Sequence, residues 1–133
     1  MKMPAEVLEI FDNEMCHQLA TCSKEGIPNI CNVGAKYRID DETIVVVDNY
    51  MLKTMKNVLD NPKVAILIRK GRDSYLIKGT CDYVTEGKEY EDAYKWMKEK
   101  GDRFPAKAAL IIKVEDIFYS NTGPQAGKSI FED

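Results

Sequence analysis

The sequence predicts a small, mainly β domain, an antiparallel barrel of six strands with short flanking helices. Six short runs rich in β-branched, aromatic or alternating apolar residues are separated by turn-forming residues. Helical spacing of apolar residues recurs only in brief stretches. Glycines interrupt two of the runs, at Gly34 and Gly79, as a strongly curled sheet requires. Closing such strands into a barrel leaves few exposed edges.

Taken in order, Pro4 suits a first helical position, and Val7, Leu8, Ile10 and Phe11 form one apolar face before Asp12-Asn13 ends the turn. Cys16 to Ser23 reads as a strand, Lys24-Glu25-Gly26 as a turn, and Pro28 to about Arg38 as the second strand of a hairpin. In that strand Cys31, Val33, Ala35 and Tyr37 share an apolar face, opposite Ile30, Asn32, Gly34 and Lys36. Gly34 fits either a kink in the barrel or the close approach of a flat ligand. Thr43 to Asp48 is the third strand and Lys63 to Arg69 the fourth. After the Gly71-Arg72-Asp73 turn, Ser74 to Thr85 forms a long fifth strand broken at Gly79. Gly87 to Lys100 is helical, with Tyr90, Ala93, Tyr94 and Met97 on one face and Trp96 off it, suited to surface packing or a partner contact. Ala108 to Tyr119 is the last strand, with Ile112, Val114 and, past a step at Asp116, Phe118 on one side. Residues 120–133 form a loop or C-terminal arm.

The 133 residues fit one domain, 1–133, with 44% hydrophobic residues and enough length for a real core. No apolar run approaches the roughly 18 residues of a membrane span, and the start has no signal-peptide character, so a cytoplasmic protein is expected. A net charge of −3 argues against nucleic acid as the main partner, whereas a small anion needs only a local basic site. The cysteines, Cys16, Cys22, Cys31 and Cys81, form no Cys-x-x-Cys pair, which favours reduced thiols over a metal site. The single histidine, His17, fits a strand-start or surface role better than that of a catalytic base.

The most informative stretch is Asp48 to Pro62. The strand Ile44 to Val47 delivers it, Asp48 and Asn49 suit a helix cap, and Met51, Met55, Val58 and Leu59 recur at helical spacing. Lys53 and Thr54 then fall near the helix start, where free N–H groups and the helix dipole favour a phosphate. Asn61-Pro62 ends the helix. A solvated amphipathic connector is the plainer alternative.

The order of Leu19-Ala20-Thr21, Gly26-Ile27-Pro28-Asn29, Lys53-Thr54, Asn57-Val58, Asn61-Pro62, Leu76-Ile77-Lys78-Gly79 and Ala108-Ala109-Leu110-Ile111 resembles the FMN-binding split-barrel family related to pyridoxamine-phosphate oxidase. The resemblance runs from about Glu14 to Phe118 and is greatest to the short single-domain FMN-binding proteins. It implies a six-stranded split barrel of Greek-key type that forms a homodimer with FMN at the interface. It assigns Lys53 and Thr54 to the FMN phosphate. Val47, Asp48, Asn49, Tyr50 and Met51 match the segment along the ribityl chain and ring edge. Asn32, Val33, Gly34 and Ala35 match the strand against the isoalloxazine, largely through backbone groups. Gln125, with Pro124 and Ala126, is placed by chain order near the partner subunit's flavin. Relatives can carry bulky aromatics where Gly34 and Pro105 stand here, which implies a more open flavin. A carboxylate at Asp48 suits a phosphate neighbourhood only if it caps the helix or faces away.

The expected function is an FMN-dependent redox protein, oxidoreductase or electron carrier, in which the flavin supplies the chemistry and no catalytic side chain is assigned. The donor and acceptor are open. One alternative is a module that stores or senses flavin, or binds heme or a deazaflavin, without turnover. A pyridoxamine-phosphate oxidase fits less well, since Lys78, Lys107 and Lys128 are too scattered to make its second phosphate site. A ligand-free structural barrel is the last alternative.

Overall fold

The computed structural model describes residues 1–132; Asp133, the end of the expected arm, lies outside the described residues. Its elements are α1 (Ala5–Asn13), β1 (His17–Cys22), β2 (Pro28–Val33), β3 (Lys36–Asp40), β4 (Thr43–Asp48), α2 (Lys53–Asp60), β5 (Lys63–Lys70), β6 (Asp73–Val84), α3 (Lys88–Lys100) and β7 (Ala108–Tyr119). All strands join one antiparallel sheet in the order β2-β1-β5-β6-β7-β4-β3. The β5-β6-β7 meander returns beside β4, which is Greek-key connectivity. The two edge strands, β2 and β3, are consecutive in the chain and joined by only Gly34 and Ala35. A sheet whose opposite edges lie two residues apart must curl on itself. The result is a barrel split at the β2/β3 seam.

The strand expected from Pro28 to Arg38 is therefore two strands, and the sheet has seven rather than six. Lys36 N donates to Gly34 O at 3.1 Å, a tight turn that redirects the chain, and Val47 N donates to Ala35 O at 2.9 Å, so pairing with β4 begins at once. The kink anticipated at Gly34 is this turn. The break at Gly79 is a bulge: pairing steps from Lys78↔Asp116 to Gly79↔Val114, leaving Glu115 as the extra residue. It also shifts the phase of β7, so Ile117, and not Phe118, is the fully buried residue beyond it.

β4 is buried along its whole length, as its unbroken apolar run suits. Ile44 and Val46 face the barrel core with Phe11, Leu19, Ile66 and Ile112, while Val45 and Val47 pack with Ala93 and Met97 under α3. Two expected helix faces are adjusted. Tyr94 is 42% exposed, whereas Trp96 packs against Tyr37 with ring centroids 4.9 Å apart. Leu59 points outward, and α2 buries Thr54 and Val58 instead. The C-terminal residues fold back along β7: Gly127 N donates to Tyr119 O at 2.8 Å and Ile130 N to Ile117 O at 2.9 Å.

Candidate functional site

A groove of about 550 Å³ lies along the seam, between the β2 strand, the Gly34–Ala35 turn, the end of β4 and the start of α2. It is lined by Asn32, Val33, Gly34, Ala35, Val47, Asn49, Tyr50, Met51, Lys53 and Thr54, together with Asn29, Ile30, Cys31 and Leu52. Ten of the twelve residues selected from the sequence thus share one surface. The other two do not line it. Gln125 sits in an exposed turn of the C-terminal segment, where its carbonyl accepts from Lys128 N at 3.0 Å.

Asp48 is fully buried beneath the groove. It continues the inward phase of Ile44 and Val46, so strand alternation turns its carboxylate away from the groove. There it accepts hydrogen bonds from the Tyr83 hydroxyl and, at 2.8 Å, from Met51 N; the Lys107 ammonium stands 3.8 Å away. Burial, followed by the adjacent carboxylate, pushes the Tyr83 phenol well above its ordinary range and keeps it a donor. Contrary to the expectation from the sequence, Asp48 does not cap α2. It holds the Asn49–Met51 turn, and the helix starts later, after Leu52, with no side-chain cap. Asn49 braces the same turn from the other side, its Oδ1 accepting from Ala106 N at 3.0 Å.

The late start makes Lys53 and Thr54 the first two helical residues. The first intrahelical bond runs from Lys56 N to Leu52 O at 3.1 Å, so the N–H groups of Lys53, Thr54 and Met55 precede the ladder. Thr54 is buried, and its hydroxyl meets Asn29 Nδ2 at 3.2 Å and Cys31 Sγ at 3.3 Å. Asn29 and Cys31 are thus site residues that sequence reasoning missed. The β2 alternation, with Asn29, Cys31 and Val33 on one face, was the available signal; their contact with a helix 23 to 25 residues away was not. Lys53 makes no ion pair among the described residues.

At the other end the wall is formed by Asn32, Val33, Gly34 and Ala35. A Cβ at Gly34 would stand 3.4 Å from Met15 O, ordinary contact, and the residue has no positive φ, so neither crowding nor backbone conformation demands glycine there. Tyr50 is 73% exposed and Leu52 61%, forming an apolar rim with Ile30. His17 lies outside the groove, 1% exposed at the start of β1, with its Nε2 2.9 Å from Phe11 O. Pro105 does not line the groove either.

Both the fold and this surface define a split-barrel protein, and comparison with known proteins agrees. The family described as pyridoxamine 5'-phosphate oxidase matches residues 3–121, and the chain belongs to this split-barrel family. The uncharacterized protein MJ0282 of Methanocaldococcus jannaschii is 36% identical over 136 residues, covering 100% of this chain and 91% of the relative. HupZ of Group A Streptococcus superposes with a TM-score of 0.80 at 33% identity, over 94% of this chain and 99% of that one. An FMN-binding protein of Syntrophomonas wolfei shares the fold with a TM-score of 0.72 at 24% identity, over 86% of each chain. The fold also occurs in HutZ, the heme storage protein of Vibrio cholerae (TM-score 0.70, 16% identity, 90% and 95% covered), and in an F420 reductase (0.67, 15%, 86% and 98%). The fold alone therefore does not select the cofactor.

Proposed function

We propose that this protein binds FMN in the seam groove and serves as a flavoprotein, an oxidoreductase or electron carrier. The observation that carries the reading is the pairing, in one groove, of a helix start bearing Lys53 and Thr54 with the Asn32–Ala35 segment at the seam turn. The first fits a phosphate through free N–H groups, a hydroxyl and an ammonium. The second fits a planar ring. Bound FMN supplies the redox chemistry. The chain's residues hold and orient it: Asp48 and Tyr83 keep the intervening turn in place, and Val47 and Met51 give the groove an apolar floor.

Exposed Ile30, Tyr50 and Leu52 around the groove support a homodimer in which a second copy covers this rim and helps to enclose the cofactor. Gln125 is assigned to the partner's groove on the same reading.

The groove disfavours histidine-ligated heme, since His17 is buried elsewhere and only Cys31 and Met51 among the lining residues offer soft axial ligands. The test is the visible spectrum of freshly purified protein, before and after addition of FMN and desalting. A flavin spectrum that survives desalting is expected. A protein that retains no FMN would overturn the reading, and a Soret band would replace it with the heme alternative.

A further inference from the structure

We propose that His17 and Lys36 form an acid-sensitive latch behind the Gly34–Ala35 turn, and that a proton taken up by His17 releases the turn and opens the groove wall. The latch stands on contacts outside the groove; only its effect on a bound flavin rests on the reading above.

Two donors share the Phe11 carbonyl in the last turn of α1. His17 Nε2 lies 2.9 Å from it at the start of β1, and Lys36 Nζ donates to it from the start of β3. Lys36 Nζ also donates to Glu14 O at 2.8 Å and stands 4.8 Å from the centre of the Phe11 ring, which stacks on His17. Carbonyls at a helix end lack an intrahelical partner, so the two side chains act as its cap. They hold both flanks of the wall. His17 pairs with Val33 across the β1/β2 ladder, and Lys36 directly follows Ala35.

A carbonyl only accepts, which places the imidazole proton on Nε2 and leaves Nδ1 bare. Nδ1 is buried without a partner among the described residues, in a residue 1% exposed. A second proton therefore makes a buried donor with no acceptor, and adds a positive charge at the carbonyl that the Lys36 ammonium already uses. The other titratable groups facing the pair are Asp12 from α1 and Glu14 and Cys16 from the segment between α1 and β1. Glu14 favours the imidazolium, but burial and Lys36 disfavour it and prevail. β2 and β5 contribute Val33, Ile66 and Ile68 to the same core as Phe11, all apolar. The imidazolium reaches water only if the start of β1 parts from Phe11, and Lys36 then loses the acceptor that anchors the turn.

Amide hydrogen exchange of the full chain without added ligand tests the latch. Lys36 N and Val47 N, which donate to Gly34 O and Ala35 O, report on the turn. Their protection is expected to lie below that of the β5–β6 ladder and to fall by up to about tenfold between about pH 7.5 and 5.5. One group of ordinary pKa 6.5 allows that much when only the open form takes the proton. In His17→Phe the fall should vanish. Lys36→Met, which cuts the other half of the latch, should lower Val47 protection already at the higher pH. Protection that ignores pH, falls equally in His17→Phe, or matches the β5–β6 ladder, so that the turn opens only when the barrel unfolds, would overturn the latch. Under the flavin reading, bound FMN should dissociate faster at the lower pH in the native protein than in His17→Phe, a comparison in which the titration of its own phosphate cancels. A protein that retains no FMN would remove that reading and leave the exchange result standing.

Discussion

The Tyr83 hydroxyl donates to the buried Asp48 carboxylate, and this one contact ties β6 to the turn that carries the chain from β4 into α2. Because Asp48 is wholly inaccessible to water, its Oδ2 has no solvent to turn to when the phenol is removed. Tyr83→Phe should lower stability by about 1–3 kcal/mol, the cost of stranding a buried acceptor. Urea denaturation reads this directly. Lys107→Met should cost less, since the ammonium is 3.8 Å away and 42% exposed.

Lys53→Ala removes an exposed ammonium at the helix start without touching the core. Under the flavin reading it should weaken FMN binding by roughly 1.5–3 kcal/mol, or about ten- to a hundredfold, with an unchanged denaturation midpoint. Titration of FMN fluorescence gives the affinity. Unaltered affinity would remove the phosphate from this end of the groove.

His17 is expected to make stability fall on mild acidification. Burial lowers its pKa below the ordinary 6.5, outweighing the opposing hydrogen bond to the Phe11 carbonyl, while the Lys36 ammonium adds to the lowering. The folded state then binds fewer protons than the unfolded chain. The contribution is flat above about pH 6.5 and declines as pH falls through that value toward the lower folded pKa. Nδ1 is buried without a partner among the described residues, so protonation there also leaves a charged donor unpaired. Urea midpoints between pH 5 and 7.5 should slope downward in the native protein, and less so in His17→Phe.

Gly79→Ala should be far more damaging than Gly34→Ala. A methyl at Gly79 would lie 2.3 Å from the Lys113 carbonyl oxygen, so the β6/β7 bulge must open, at about 2 kcal/mol or more. At Gly34 the nearest atom is 3.4 Å away, and the fold should tolerate the change. Thermal melts of the two variants rank them. Equal losses would mean that the bulge is not sterically pinned.

If a second copy completes the cofactor site, bound flavin should decline in a dilution series as the dimer dissociates. Sedimentation combined with flavin absorbance tests it. Full retention by a demonstrated monomer would confine the site to one chain.

Much of the fold was legible because its signals are local. Alternation marked β1, an unbroken β-branched run marked β4, the Gly26 and Gly71 turns marked two hairpins, and both glycine positions in broken strands proved to be departures from regular pairing. Of the groove, the helix start at Lys53 and Thr54 was legible from local signals, while Val47 to Met51 and Asn32 to Ala35 were reached through the family resemblance. Asn29 and Cys31 were not found because they meet Thr54 only when β2 and α2 come together across the seam.

The sequence by itself determined the strand and helix identities, the basic helix start and the apolar runs, all set by periodicity and backbone preference within a few residues. Tertiary structure decided where the chain bends between β2 and β3, which way Asp48 faces, where α2 begins and which face of α3 is covered. These depend on register and closure across the whole sheet, where pairing residues far apart in the chain overrides what any short segment prefers alone.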